Sequence, residues 1–212
     1  MTQPTAEEKS LVRHLTAADY TATPWRNGGG TTTEIAISPS GASLGGGFDW
    51  RLSIAEVAQD GPFSSFPGYQ RSLSVISGGG ILLDAGEEGD IELRTPFKPV
   101  SFPGEWEIHG RLLGAALRDL NLIYKRATTA GRVGFLRIAD TPLNAESDAQ
   151  TLLILPLAGG PLTASWDKRA AEAQLEEGET LILERRGGGH AVRLTAASGE
   201  IQAAFVEISK TG

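Results

Sequence analysis

The sequence has no cysteine and only three histidines, His14, His109 and His190, which lie far apart along the chain. Without cysteine there is no disulfide, no thiol nucleophile and no thiolate metal site. A histidine-rich metal centre is also disfavoured, because such a centre needs three or four ligands brought together. We therefore expect a protein that holds no metal and no cofactor.

Long apolar runs and an excess of positive charge are missing as well. No run approaches the roughly 18 apolar residues that span a bilayer, and the polar start at residues 1–9 lacks the profile of a signal peptide. With 26 acidic against 19 basic residues, the net charge is −7, which repels polyphosphate. The sequence thus predicts a soluble, cytoplasmic protein that binds neither nucleic acid nor membranes.

Short β-branched or alternating apolar runs, separated by turns rich in glycine, proline and aspartate, dominate the chain. Helical periodicity is weak and is confined to residues 5–10, 16–20 and 167–174. The pattern predicts an all-β fold, a sandwich or a barrel. The predicted strands are Thr32–Ser38, Phe48–Val57, Arg71–Ser77, Ile81–Asp84, Ile91–Leu93, Val100–Phe102, Gly110–Gly114, Leu120–Arg126, Val133–Ile138, Thr151–Leu157, Leu162–Ser165, Leu181–Leu183, Val192–Leu194 and Ile201–Ile208.

An internal repeat is visible within this pattern. Ser72–Leu83 resembles Thr151–Leu162, and Ile91–Phe102 parallels Ala173–Glu184, at a nearly constant offset of about 80 residues. Each copy reads strand, glycine turn, strand, polar loop, strand. The repeat predicts two β-barrel units, residues 1–130 and 131–212, packed together as one compact protein.

The segment from Pro24 to Glu34 concentrates aromatic, cationic, amide and hydroxyl side chains around three consecutive glycines. Three glycines in a row indicate an unusual backbone conformation or a close backbone approach. Trp25 and Asn27 are therefore candidates to contact a ligand. The alternative is a surface turn that opens a strand.

The period-two alternation of strands groups further polar residues. Arg51 and Ser53 share one face of their strand, while Thr32, Glu34 and Ala36 share one face of theirs. If these faces line a barrel interior, they supply the polar contacts of a small-molecule pocket, and Trp25 and Phe66 supply its apolar walls. If the faces lie outside, the polar residues are solvated and the aromatic residues belong to the core.

Several segments together resemble the HutD/Ves family of the cupin superfamily: residues 24–36, 48–55, 60–68 and 119–126. The resemblance implies a bicupin fold, two β-barrel or jelly-roll cupin units packed together. It also implies a link to histidine catabolism, in which a small carboxylate intermediate is bound rather than turned over. Because cupins often pair through their sheets, the resemblance allows a homodimer.

The metal-ligand positions of a typical cupin are not occupied by metal ligands here. Counted back from Gly78, the His-x-His and Glu positions hold Ser64, Phe66 and Arg71. The region of the third histidine falls at residues 105–109, and we interpret His109 as a polar partner. In the second unit Leu152 stands where the ligating Glu would be, which leaves His190 isolated in a loop.

Arg71 changes the chemistry of the barrel, because a guanidinium offers a fork of donors to an anion where a cupin carboxylate binds a cation. The alternative is a structural ion pair between Arg71 and Glu34. Asp119 and Asn121 either face the same interior or cap a turn, and Lys125 and Arg126 are interpreted as a solvated edge. The predicted ligand-binding residues are Trp25, Asn27, Thr32, Glu34, Arg51, Ser53, Phe66, Arg71 and His109.

Three classes of function follow. The first is a metal-independent bicupin that senses or buffers a small carboxylate metabolite. The second is an enzyme, with Glu34 or Asp60 as general base and His109 as its partner in an isomerisation or hydrolysis; no Ser-His-Asp grouping supports it, so no catalytic residue is predicted. The third is a partner-binding module whose second barrel serves as scaffold or dimer face.

Overall fold

A computed structural model describes residues 11–211. The regular secondary structure of the described chain is β-strand, apart from short 3₁₀ turns at Ala17–Asp19, Gly86–Glu88 and Asp167–Arg169. Among the described residues, none of the helical segments has the length and apolar character needed to cross a bilayer. The strands are β1 (Leu11–Leu15), β2 (Thr21–Pro24), β3 (Gly30–Ser38), β4 (Trp50–Val57), β5 (Gly61–Pro62), β6 (Tyr69–Gly78), β7 (Ile81–Asp84), β8 (Asp90–Leu93), β9 (Val100–Pro103), β10 (His109–Leu112), β11 (Leu117–Lys125), β12 (Thr129–Ile138), β13 (Leu143–Ser147), β14 (Thr151–Ala158), β15 (Leu162–Trp166), β16 (Ala171–Leu175), β17 (Thr180–Glu184), β18 (His190–Ala196) and β19 (Ile201–Lys210).

The chain forms two compact units, which we call the N-terminal unit (residues 20–130) and the C-terminal unit (residues 131–210 together with 11–19). Residues 11–19 belong to the C-terminal unit because β1 pairs with β17 along its whole length. The boundary at residue 130 thus agrees with the predicted one, but residues 11–19 belong to the C-terminal unit and not to the N-terminal unit.

The N-terminal unit consists of a six-stranded antiparallel sheet, in the order β2-β3-β4-β11-β6-β9, and a four-stranded sheet, in the order β5-β10-β7-β8. Alternate residues of both sheets meet in one apolar core, as period-two strands require. Its members include Ala55, Leu73, Val75, Leu83 and Phe102. We call the side of the sheets that carries these residues the interior of the N-terminal unit.

The C-terminal unit repeats this topology. Its large sheet contains β17-β14-β19-β12 in the positions of β9-β6-β11-β4, with β1 added at the edge, and its small sheet contains β13-β18-β15-β16 in the positions of β5-β10-β7-β8. The strands Ser72–Leu83 and Thr151–Leu162, which resemble each other in sequence, take equivalent places. The internal repeat and the bicupin fold are therefore confirmed.

Leucines dominate the hydrophobic core of the C-terminal unit. Leu152, Leu162, Leu175, Leu183 and Leu194 are all fully buried there. Leu152, at the position of a cupin's ligating Glu, thus packs in the core. Residues of the small sheet and of the large sheet of this unit pack together in this hydrophobic cluster.

The structure differs from the sequence-based expectation at short or weakly apolar strands. Strands β1, β2, β5, β13 and β16 were not predicted, and the segment expected to be helical at 167–174 is a 3₁₀ turn followed by β16. In β16 the residues Ala171, Ala173 and Leu175 face inward, alternating with Glu172 and Gln174. Alanine and glutamate favour helices, but pairing with β15 overrides that propensity. The predicted helical residues 5–10 lie outside the described residues.

Candidate functional site

A row of buried polar residues crosses the interior face of the large sheet in the N-terminal unit. The strand register places Arg51 opposite Ile123 and Ile123 opposite Arg71. Two residues further along β4 and β11, Ser53 lies opposite Asn121, followed by Ala55 opposite Asp119. Because Ala55 belongs to the apolar core, this face is the interior. We call Glu34, Arg51, Ser53, Arg71, Asp119 and Asn121 the polar cluster.

Arg51 and Glu34 form an ion pair inside this cluster. The Arg51 Nε donates to Glu34 Oε2 at 2.6 Å, with side chains 10% and 26% exposed. A β-bulge between Glu34 and Ala36 keeps Glu34 opposite Ser53 but moves Ala36 opposite Leu52. The expectation that Ala36 shares the face of Thr32 and Glu34 is therefore wrong.

Arg71 is only 4% exposed, yet it forms no ion pair. Among the described residues no carboxylate oxygen lies within 4.0 Å of its guanidinium. Its Nη1 donates to the Ser64 carbonyl at 3.3 Å, and its Nε has no hydrogen-bond partner. The alternative of an ion pair between Arg71 and Glu34 is not observed, because Glu34 pairs with Arg51 instead.

Three aromatic rings surround the Arg71 guanidinium. Its Cζ lies 5.2 Å from the centroid of Phe63, 5.8 Å from that of Phe66 and 5.4 Å from that of Phe102. The rings offer cation–π attraction but exclude water. Burial therefore lowers the pKa of Arg71 to about 10, although nearby Asp119 opposes the shift. The side chain is cationic at neutral pH.

Asp119 and Asn121 face the interior and cap no turn. Asp119 is 1% exposed and Asn121 is 8% exposed, and the Oδ1 atom of each lacks a hydrogen-bond partner. Burial raises the pKa of Asp119 to about 7, while the charge of Arg71 acts in the opposite direction. The sequence left these residues open between interior and turn, and the register of β11 decides for the interior.

The glycine-rich segment forms the turn between β2 and β3. The Trp25 Nε1 donates to Thr32 Oγ1 at 2.8 Å, and the Trp25 ring packs against the core. Asn27 Oδ1 accepts from the Gly29 amide at 3.0 Å, so this exposed side chain supports the turn. A Cβ at Gly30 would lie 2.2 Å from the Glu56 carbonyl oxygen, so only glycine permits this close approach.

Phe66 and His109 have different surroundings. Phe66 packs edge-on against Phe48 at 6.2 Å and against Tyr69 at 6.4 Å, beside Arg71. His109 is exposed on β10. A Cβ on the next residue, Gly110, would meet Phe63 and Ile81 in the interior, so His109 lies on the opposite side of the small sheet. The structure does not bring His109 to the polar cluster.

The three positions that hold metal ligands in a typical cupin do come together. Ser64 and Phe66 both contact Arg71, through a carbonyl oxygen and a ring. Their side chains are a hydroxyl, a phenyl and a guanidinium, none of which suits a divalent cation. Across residues 11–211, no group of three or more His, Cys, Asp and Glu side chains is arranged to hold a metal ion.

Two other charged residues have defined partners. Asp60 Oδ1 accepts from the Leu112 amide at 2.7 Å, which fixes a loop. Arg126, interpreted from sequence as part of a solvated edge, forms a two-point ion pair with Glu105 at 2.9 and 2.5 Å. It also donates to the Tyr69 carbonyl at 3.0 Å. Lys125, the other residue of the predicted edge, is exposed at the end of β11.

His190 is a buried strand residue, so the expectation of a loop residue is wrong. It begins β18 and is 4% exposed, with its Nε2 at 3.4 Å from the Gln150 carbonyl and its Nδ1 unpartnered. Burial is the main cause that lowers the pKa of His190. Nearby, Arg185 donates to Asp167 at 2.7 Å and to the Gly189 carbonyl at 2.9 Å.

The charges of the polar cluster decide what it can bind. Arg51 is compensated by Glu34, whereas Arg71 has no carboxylate in contact. The unpartnered Nε of Arg71 is a donor, and the unpartnered oxygens of Asp119 and Asn121 are acceptors. An anionic ligand that reached Arg71 would accept charge-assisted hydrogen bonds from its guanidinium and so pair a buried cation.

Known relatives and structures match this chain at moderate identity. It is 46% identical over 115 residues to an uncharacterized 21.2 kDa protein in the hutC 3' region of Pseudomonas putida, covering 54% of this chain and 59% of that protein. It is 34% identical over 117 residues to Protein Ves of Citrobacter koseri, covering 55% and 58%. Each match thus spans less than two thirds of these curated relatives.

Solved structures cover almost the whole chain. A conserved protein of unknown function from Pseudomonas aeruginosa PAO1 superimposes with a TM-score of 0.84 at 36% identity, covering 95% of this chain and all (100%) of that one. HutD from Pseudomonas fluorescens SBW25 gives 0.77 at 31% identity with the same coverage. At 10% identity, 2-hydroxyethylphosphonate dioxygenase gives 0.66 and shares the fold alone.

The family model of HutD matches residues 17–203, which include every residue of the polar cluster and nearly all of both units. The sequence resemblance to HutD and Ves is confirmed by these comparisons. The chain belongs to the HutD family.

Proposed function

We propose that the N-terminal unit binds a small carboxylate at Arg71, without a metal. The observation that carries this proposal is a guanidinium, 4% exposed, that contacts three aromatic rings and no carboxylate. An unpaired buried charge is costly, and a bound carboxylate would offset that cost through charge-assisted hydrogen bonds.

Neighbouring residues give such a site its second contact and its walls. Arg51 engages Glu34 through Nε, and its guanidinium carries further N–H donors that a second ligand oxygen could accept from. Ser53 and Asn121 add a hydroxyl and an amide to orient the ligand. Phe63, Phe66 and Phe102 are the apolar walls. The Ser64 carbonyl now accepts from Arg71, and a bound carboxylate would take its place.

The biological role that fits is a cytoplasmic sensor or buffer of a metabolite in histidine utilisation. The name of the HutD family and the hutC-region relative support this link. HutD from Pseudomonas fluorescens was solved in a formate condition, and formate is the simplest carboxylate. We therefore include formate among the probes.

Binding without turnover is favoured over catalysis by the environment of the expected acid and base groups. Glu34 is held by Arg51, and Asp60 accepts a backbone amide. His109 is exposed on the far side of the small sheet. None of these three groups is presented to Arg71 as a general base.

The proposal is tested by thermal unfolding of metal-stripped protein with formate, glutarate, glutamate, urocanate and formylglutamate. A ligand at 100 times its dissociation constant adds about 2.7 kcal/mol of stability. We expect a shift with at least one carboxylate, its loss in Arg71→Met, and its retention in Arg111→Met, which removes an exposed arginine paired with Asp84. A shift that persists in Arg71→Met, or that requires a divalent metal, would contradict the proposal.

A further inference from the structure

Four charged residues lie on the interior face of the large sheet in the N-terminal unit, and one of them is Asp119. The others are Arg71 on β6, Arg51 on β4 and Glu34 on β3. Among the described residues of the small sheet no polar or charged side chain is buried, and Ile81 and Leu83 pack into the core from that side. Of the other three charged residues, Arg71 is the charged group that acts on the Asp119 carboxyl, and it opposes the rise of its pKa.

Arg71 and Asp119 share this interior without touching. Arg71 lies opposite Ile123, and Asp119 is four residues further along β11, a backbone distance of about 14 Å. Asn121 lies between them on the same face. Each of these three residues has one buried polar atom without a hydrogen-bond partner: Arg71 Nε, Asn121 Oδ1 and Asp119 Oδ1.

The charge balance changes when an anion enters. With both arginines cationic and both carboxylates ionised, the empty cluster is neutral. A bound carboxylate adds a negative charge in a region that is 8% exposed or less at Arg51, Arg71, Asp119 and Asn121. An uncompensated buried charge is expensive. Because Glu34 is engaged by Arg51, Asp119 is the carboxylate that protonation can neutralise.

We propose that Asp119 takes up one proton when a carboxylate binds at Arg71, so that the ligand and the proton bind together. This inference rests on the proposed function and adds a pH dependence to it. The protonated carboxyl supplies an O–H donor to the interior, where Asn121 Oδ1 lacks one. The pKa of Asp119, about 7 in the ligand-free protein, places this uptake at neutral pH.

Calorimetric titration measures the proton directly. Glutarate, with formate as a second probe, is titrated at pH 6 and pH 8 in buffers of different ionisation enthalpy. With a pKa of about 7, about nine tenths of Asp119 is ionised at pH 8, so about 0.9 proton is taken up per ligand. The fraction of the protein in which Asp119 is already protonated falls about tenfold from pH 6 to pH 8, and the affinity for the carboxylate falls by the same factor.

Two variants separate the role of Asp119 from other titrations. Asp119→Asn keeps the shape but cannot take up a proton, so we expect no buffer dependence and equal affinity at both pH values. Asp84→Asn, at an exposed ion pair with Arg111, behaves as the wild type. Wild-type binding with no proton uptake at pH 8 and equal affinity at both pH values would overturn this inference alone. If none of the five carboxylates of the unfolding test binds at either pH, the proposed function fails and this inference fails with it.

Discussion

Substitution of Asp119 by Asn should change how the stability of the ligand-free protein depends on pH. Burial raises the pKa of this carboxyl from its ordinary 3.8 to about 7. Between these values the folded protein holds the proton and the unfolded chain does not. The free energy of unfolding contributed by the neutral carboxyl is therefore fully present below about pH 4. It is lost as the pH rises through 7.

The magnitude follows from the width of that window. Each pH unit within it is worth about 1.4 kcal/mol. Between pH 5 and the folded pKa of about 7, about two pH units of this window remain, and above pH 7 Asp119 is ionised in both states. Relative to Asp119→Asn, which has no proton to lose, the wild type should therefore lose about 3 kcal/mol. Subtracting the variant from the wild type removes the contribution of every other titrating group that both share.

Urea unfolding at pH 5, 6, 7 and 8 measures this difference. We expect the two unfolding free energies to separate in favour of the variant as the pH rises from 5 to about 7, and to run parallel above that pH. Asp84→Asn serves as the matched control and should remain parallel to the wild type. Parallel curves for Asp119→Asn as well would show that Asp119 is ionised throughout this range and would refute the reasoning.

Two further predictions concern the frame of the site. Glu34→Gln leaves Arg51 without its carboxylate and should lower the free energy of unfolding, measured in urea, by about 2 kcal/mol. Glu92→Gln, at an exposed ion pair, should lower it by less than about 1 kcal/mol. Equal losses in the two variants would contradict the account of Glu34 as the partner of a buried arginine. Gly30→Ala places a Cβ 2.2 Å from a carbonyl oxygen and should lower the unfolding free energy by more than about 2 kcal/mol. Gly45→Ala meets no atom within 4 Å, and a thermal midpoint lowered as much as in Gly30→Ala would contradict this reading.

The repeat and most strands could be predicted because their signal is local. Runs such as Ile81–Asp84 and Thr151–Leu157 are apolar, β-branched and bounded by glycine turns. The alternation of Arg51 and Ser53 with Leu52 and Ile54 likewise places the polar pair on one face. Strand β16 lacked such a signal, because its alanines and glutamates favour a helix until β15 pairs with them.

The partners within the site could not be predicted, since they depend on register and bulges. A bulge between Glu34 and Ala36 decides which side chains of β3 face inward. Glu34 lies two strands closer to Arg51 than to Arg71, which no spacing in the sequence reveals. His190 is buried at the start of β18, where it lies opposite Ser147 of β13, and β13 itself was not predicted. Alternation identified the faces, and long-range pairing chose the contacts.

A crystal structure of the protein with glutarate tests the central claim most directly. The account predicts a carboxylate within hydrogen-bond distance of the Arg71 guanidinium, in place of the Ser64 carbonyl that now accepts at 3.3 Å. The aromatic rings of Phe63 and Phe102 should flank it. Glutarate bound only elsewhere, with the contact between Arg71 and Ser64 intact, would contradict the account.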